Sequence, residues 1–501
     1  MKNWVPHTYQ KKSVKFLLEH AAAALWLDPG LGKTSITLAA FKMLFKKQIS
    51  RKMLVIAPLR PCYLVWPKEV EEWAEFNQFK VAILHGPGKE AAVHSDADIY
   101  VINPEGLEWL TSKAPGSKYT RLQIILDGDN GAVLAVDEVT KFKHTNTLRF
   151  KTIAGRGAHA GMLRYFGYRW TLTGTCAPNG YLDLFGQIFV ADMGVALGKY
   201  ISHYRASYFD AGGYGNHTFT LQDGAEKKIQ TKLKPLVLRM DAEDYLDLPK
   251  LLVNKVMVEL PPAARKVYDE LEIEMYSQLE GGEIVTALGA AAASMKCRQV
   301  ANGGLYLNKD VPGELLRQAK NREWVDLHTA KIDAVQEIIE SVQGKPVFIT
   351  YDFNHDLARL RVALGKDVPV LGGKGSGPAG IKYDKMLEAA WNNDELPVLL
   401  GHPASIGHGL NLQKSSCADM IIHSDTWDQE LYDQVIRRVR RQGNTVGFLR
   451  LHHIIAIDTV DETLYASHGR KGGVQKALMD AMKNRRRSQT PFQVVENKRR
   501  K

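Results

Sequence analysis

Short apolar runs alternate with longer segments whose apolar positions recur every three or four residues, and this alternation occurs twice along the chain. The first stretch runs from about Thr8 to Met240. Its strand-like runs are Ala24 to Asp28, Met53 to Ala57, Val81 to Leu84, Asp98 to Ile102, Val133 to Asp137 and Trp170 to Thr173. The second runs from about Ala330 to Asp458, with strand-like runs at Val347 to Thr350, Val368 to Leu371, Val398 to Leu400, Met420 to His423 and Phe448 to Ile457. Strands alternating with helical patterns predict α/β architecture, mainly parallel sheets flanked by helices. Between the stretches, Pro261 to Gln299 reads as helical with a break at Gly281-Gly282, and Pro261-Pro262 suits a helix start. Tyr204 to Ala225, rich in glycine and aromatics, reads as a surface loop or insertion. After Asp458 the chain turns helical and basic. The expected division is 1–245, a linker with a helical insertion at 246–328, a second α/β lobe at 329–465 and a basic tail at 466–501.

With 501 residues the chain is too long for one core, so two domains are expected. The formal charge of +11, from 66 Lys and Arg against 55 Asp and Glu, suits a polyanionic partner. Part of the excess lies at Arg485 to Arg487 and Lys498 to Lys501, which reads equally well as a solvated end. The four cysteines, Cys62, Cys176, Cys297 and Cys417, form no Cys-x-x-Cys pair. Neither a disulfide framework nor a zinc site is expected, and a reducing cytoplasm fits. Met1 to Lys12 lacks the apolar core of a signal peptide, and the runs Ala21 to Leu27 and Ala290 to Ala293 are too short to span a bilayer. His452-His453 lies inside a strand-like run; one is expected to be packed and one exposed, neither a ligand.

The chemistry begins at Leu27-Asp28-Pro29-Gly30-Leu31-Gly32-Lys33-Thr34. A strand precedes it and an amphipathic helix, Thr34 to Phe45, follows, which is the context a phosphate loop requires. Gly30 and Gly32 let backbone N–H groups, including that of Leu31, approach phosphate oxygens, and the helix N-terminus adds partial positive charge. Lys33 is expected to reach the β- and γ-phosphates of ATP and Thr34 to ligate Mg2+. The position of the motif's usual first glycine holds Leu27. The second half is Val133 to Val136 ending in Asp137-Glu138. A strand of this kind is expected beside the phosphate-loop strand, bringing Asp137 to the metal and Glu138 to the attacking water.

Taken in order, the motifs resemble the Swi/Snf-type branch of the superfamily 2 helicases over most of the chain. Pro6-His7-Thr8-Tyr9-Gln10 is similar to the segment in which a Gln reads adenine. Val55 to Leu59 with Trp66-Pro67-Lys68-Glu69, and Ile99 to Leu107, resemble the next two motifs. Leu172 to Asn179 resembles Leu-Thr-Gly-Thr-Pro. Pro235 to Arg239, Leu248-Pro249-Lys250 and Lys296 to Gln299 are similar to the inter-lobe link of this branch. Phe348 to Phe353, Gly407 to Leu412 and Asp425-Thr426-Trp427 resemble the second-lobe motifs, and the resemblance places Gly409 at the nucleotide. Gln434 to Gly443 is similar to the arginine-finger motif, with Arg438 and Arg441 on one helix face. Three positions depart from the pattern. Thr140 stands where the family has His, Arg437 where an acidic residue is common, and Trp427 lacks the Asn-Pro that often follows.

The resemblance implies two RecA-like lobes with ATP between them, and a monomeric, compact motor of bacterial or viral type in the cytoplasm. Its implied partner is nucleic acid, most of all duplex DNA, tracked by translocation. Two alternatives remain at this point: a strand-separating helicase, and an ATP-gated clamp without motor activity.

Overall fold

The computed structural model describes residues 2–156, 159–174, 180–212, 218–280, 287–307, 323–375, 377–406 and 409–468. The chain forms two compact units. The first comprises Met1–Leu252, Pro369–Ala418 and Glu430–Leu449; the second comprises Val253–Val368, Asp419–Gln429 and the chain from Arg450 on.

The first unit is organised by a seven-stranded sheet. In chain order its strands are β1 (Ala22–Leu27), β2 (Met53–Ile56), β3 (Val81–Ile83), β4 (Ile99–Ile102), β5 (Val133–Asp137), β6 (Tyr168–Thr173) and β7 (Val237–Met240). They lie in the order β7-β1-β6-β5-β2-β4-β3, and each neighbouring pair is parallel. Every residue of β2 and β4 is buried, which is why these strands read as continuous apolar runs. The helices that position the site are α1 (Thr8–Glu19), α2 (Lys33–Lys46), α3 (Leu59–Leu64), α4 (Trp66–Glu72), α5 (Pro378–Asn392) and α6 (Gln429–Val439), the last from Glu430 onward in this unit. A short parallel pair, Val370–Leu371 with Val398–Gly401, completes it.

Three expectations change. β5 does not lie beside the phosphate-loop strand: β6 sits between them, with Trp26 opposite Thr173 and Asp137 opposite Leu172. The two strand ends are thus two inter-strand steps apart, roughly 10 Å. β7 is not among the expected strands. It is a partly exposed edge strand, and its mixed pattern carries a weak strand signal. The Tyr204 to Ala225 segment is not a loop. It holds the end of a helix, Ile201–Tyr208, and a hairpin, Phe209–Gly212 with Thr218–Leu221. Tyr204, Tyr208 and Phe209 are buried against Phe185 and Ile229, because helical spacing turns Tyr204 and Tyr208 to the same face. Residues 213–217 of that segment lie outside the described residues.

The second unit contains the parallel strands Val347–Thr350, Asp419–Ile422 and Phe448–Ala456, the last from Arg450 onward in this unit, flanked by the helices Ala330–Ser341, Asn354–Leu364 and Val460–Ser467. Its helical insertion is Pro262–Glu280 and Ala287–Asn302; the expected break at Gly281-Gly282 lies outside the described residues. His453 is buried and pairs with Asp425 at 3.0 Å. His452, expected to alternate with it into solvent, is instead mostly covered and pairs with Asp419 at 2.9 Å. Asp419 lies on the neighbouring strand, opposite Arg450, and draws in both Arg450 and His452. Cys62, Cys297 and Cys417 are buried, and Cys176 lies outside the described residues. No described helix is long and apolar enough to cross a membrane. After Asp458 the expected helix is Val460–Ser467, and of the expected basic tail, 466–501, residues 469–501 lie outside the described residues.

Candidate nucleotide site

At the carboxyl end of β1 the chain turns through Asp28 to Gly32 and enters α2 at Lys33. Gly30 and Gly32 adopt φ of 95° and 78°, in the left-handed region that favours glycine. A Cβ on Gly32 would stand 2.5 Å from Nε2 of Gln10, so substitution there both strains the backbone and displaces that side chain. Leu31 is fully buried and anchors the turn. Lys33 and Thr34 line a cleft, and the Lys33 ammonium donates to the Leu27 carbonyl at 2.8 Å. Burial pulls the Lys33 pKa down, against the opposing attraction of Glu138 and Asp137.

Gln10 is buried in α1 with both ends of its amide engaged. Oε1 accepts from the His7 N–H at 2.9 Å, and Nε2 donates to Leu31 O at 3.4 Å. It therefore ties α1 to the phosphate loop. Beside it lies a cavity of about 360 Å3 lined by His7, Thr8, Tyr9, Lys12, Asp244 and Tyr245. The Tyr9 and Tyr245 rings stand 5.1 Å apart there.

β5 delivers Asp137 to the same cleft, and the next residue, Glu138, sits at φ 53°. A non-glycine residue held there costs on the order of 1–3 kcal/mol, and such strain gathers at functional positions. Burial and the adjacent Glu138 push the Asp137 carboxyl up to about 6, against Lys33 and a hydrogen bond from Trp66. That bond runs from the buried Trp66 indole N–H to Asp137 Oδ2 at 3.2 Å. Sequence reading placed Trp66 in a motif but gave it no role. The geometry makes it the group that orients Asp137.

Across the cleft, α5 and α6 contribute Lys385, Glu388, Gln434, Arg437 and Arg438. Arg441 lies two residues past the end of α6 at Val439, not on the helix, yet still lines the cleft, bonded to the Asn411 side chain. A Cβ built on Gly30 would be 3.4 Å from its Nε, so the guanidinium stands over the phosphate loop. Arg438 donates to Leu410 O at 3.4 Å. Burial and Arg441 lower its pKa to about 10, so it stays charged at neutral pH. Arg437, expected to face elsewhere, also lines the cleft and pairs with Asp28 at 2.5 Å. Of the four arginines only Arg440 turns away, donating to Pro249 O at 2.8 Å and Glu243 at 2.9 Å. Gly409 lines the cleft at φ 82°, while Gly407 and His408 of its motif lie outside the described residues. Gly174 is at the cleft too, and Thr175 to Asn179 lie outside the described residues. Glu388, which no motif flagged, accepts from the Asn411 N–H at 2.9 Å, and burial raises its pKa.

The structure thus gathers Gly30, Gly32, Lys33, Thr34, Asp137, Glu138, Gly409, Arg438 and Arg441 around one cleft of about 190 Å3, with Gln10 packed behind the loop. The oxygen donors of Thr34 and Asp137 are the hard ligands that Mg2+ takes. The cations Lys33, Arg438 and Arg441 are those a triphosphate needs. Residues and group therefore fit.

Because a proton on Asp137 competes with metal, Mg2+ affinity is expected to fall about tenfold per pH unit below about 6. Trp66→Phe removes a bond to the ionised form, so it raises the Asp137 pKa and moves that fall to higher pH. Titrating Mn2+ into the ADP-bound protein across pH measures this. An unmoved midpoint would show that the indole does not govern Asp137.

A family model for the SNF2-related domain matches residues 9–312. The chain is 32% identical to "Putative protein p41" of Acyrthosiphon pisum secondary endosymbiont phage 1, over 97% of this chain and all of that protein. It is 23% identical to an uncharacterized ATP-dependent helicase of Mycoplasma genitalium, over 94% of this chain but 42% of that relative's length. The SWI2/SNF2 ATPase core of Sulfolobus solfataricus, solved in complex with dsDNA, aligns at a TM-score of 0.40 and 20% identity, covering 93% of this chain and 92% of that one.

Proposed function

The chain belongs to the SNF2-related family of nucleic-acid-dependent ATPases, and on that premise we propose that it hydrolyses ATP to translocate on duplex DNA or to remodel protein–DNA complexes. The observation that carries the ATPase half is the convergence of the phosphate loop, the Asp137-Glu138 pair and the arginines Arg438 and Arg441 on one cleft. Thr34 and Asp137 would hold Mg2+, which would supply charge neutralisation for the phosphates. Lys33 holds the β- and γ-phosphates. Glu138 accepts a proton from the attacking water, and Arg438 and Arg441 meet the charge that develops on the transferred phosphoryl group. The adenine is assigned to the cavity between His7, Tyr9 and Tyr245, where Gln10 links base recognition to the loop.

Duplex tracking is favoured over strand separation by the described aromatics of 204–219; Tyr214 lies outside the described residues. Opening a base-pair step costs roughly 1.4 kcal/mol of stacking, and a motor that pays it needs a wedge between the strands. Tyr204, Tyr208 and Phe209 are committed to the core, and the Phe219 ring is covered by the Arg205 guanidinium at 4.5 Å. The basic balance supports phosphate contacts, which are sequence-blind. Two assays test the reading: displacement of a triplex-forming strand, expected to be robust and ATP-dependent, and unwinding of a forked duplex, expected to be weak. Efficient unwinding without triplex displacement would favour the helicase alternative. No ATP-dependent movement at all, with ATP bound, would favour the clamp.

A further inference from the structure

Thr140 occupies the position where the resembled family has a histidine, two residues beyond the Asp137-Glu138 pair. It is buried in the short turn Val139–Phe142. Its hydroxyl donates to Glu430 Oε1 at 3.2 Å. Glu430 lies in the first turn of α6, and the same oxygen accepts from Gln434 Nε2, one helical turn on, at 3.0 Å. Gln434 is 5% exposed and lines the cleft. The other end of its amide, Oε1, is buried with no hydrogen-bond partner among the described residues.

These contacts form one chain from the turn that carries the base to the helix that carries the first finger. We propose that Glu430 is a positioning residue, locking the Gln434 amide and coupling the Glu138 turn to α6. The chemistry follows from the amide's two unlike ends. Glu430 can only accept, so it holds the NH2 end and leaves the carbonyl end for the cleft. A carbonyl acceptor next to a carboxylate base is complementary to a water molecule with two O–H groups to direct. Without Glu430 the amide is free to turn and present a donor instead, misdirecting the water. Thr140 supplies the second tether, so that a shift of α6 relative to the Glu138 turn breaks the alignment of base, water and finger together.

The inference rests on the proposed hydrolytic role of this cleft but not on the nature of the track. The test uses the full chain, with kcat for basal ATP hydrolysis measured alongside KM and the affinity for a fluorescent ADP analogue. Thr140→Val and Glu430→Ala are each expected to lower kcat roughly tenfold, while nucleotide affinity and KM stay near wild type. The double variant is expected to be no slower than the slower single one, since both cut the same chain. Thr140→Ser keeps a hydroxyl and is expected to restore most of the rate. Multiplicative losses, a change in KM with kcat intact, or failure of Thr140→Ser to restore the rate would each overturn the relay. Melting temperatures identify a variant that fails through misfolding. For such a variant, Glu430→Gln, which keeps the shape and an acceptor oxygen, replaces Glu430→Ala, with a smaller loss of kcat expected and no loss overturning the relay. A wild-type chain that hydrolyses ATP but neither responds to DNA nor moves on it would refute the translocation reading and leave the relay standing.

Discussion

The Glu138→Gln protein is expected to bind ATP with close to wild-type affinity and to hydrolyse it on the order of 10²–10⁴ times more slowly, the range that general-base catalysis contributes. Glutamine keeps the side-chain shape and the left-handed backbone at φ 53° is unaffected, so the cleft should persist. What is lost is the proton acceptor. Lys33→Ala should fail by another route. It removes a cleft-lining cation attracted by Glu138 and Asp137, and with it the charge that meets the phosphates, so nucleotide affinity falls first. Equilibrium binding of a fluorescent ATP analogue and single-turnover cleavage, run side by side, separate the two failures. Near-normal cleavage by the Glu138→Gln protein would take the role of base away from Glu138.

The two variants probe features that were legible in the chain itself. Gly-x-Gly-Lys-Thr between strand and helix, and Asp-Glu after an apolar strand, are local patterns whose geometry the backbone enforces. β5 runs over Val133–Asp137 as the pattern predicts, and α2 begins at Lys33, one residue before the expected start. What the pattern could not carry is lateral order. Parallel strands buried on both faces look alike in sequence, so nothing in β1 or β5 declares that β6 lies between them. Side-chain direction near a helix end was equally hidden. Helical periodicity put Arg437 on another face of α6, yet it bonds Asp28, and it kept Arg441 on a helix that has already ended at Val439. The Tyr204 to Ala225 segment was misread because glycine and aromatic content outweighed the four-residue spacing of Tyr204 and Tyr208, which is what buries them. Trp66, Glu388 and Glu430 are picked out by contacts distant in sequence, for which a lone sequence offers no signal.

The arginines give the second large effect, and the structure sharpens what each should do. Arg438→Ala is expected to lower kcat by on the order of 10³-fold with a much smaller change in nucleotide affinity, as for a finger that meets charge only in the transition state. Arg438 is suited to this. It lines the cleft half-buried, is attracted by Glu138 and Asp137, and remains charged at neutral pH with a pKa of about 10. Arg441 should behave similarly, but with a larger effect on affinity, because its guanidinium already stands over Gly30 of the phosphate loop. Arg440→Ala should leave chemistry near wild type, since that side chain is spent on Glu243 and Pro249 O. Arg437 is the discriminating case. It lines the cleft but is paired with Asp28, so Arg437→Ala is expected to weaken binding by freeing Asp28 to repel the nucleotide, more than it slows cleavage. Steady-state kcat and KM with single-turnover rates for the four alanine variants give the ranking. Equal losses of kcat at all four positions would mean a general basic surface, in which case Arg438 and Arg441 have no special claim on the transition state.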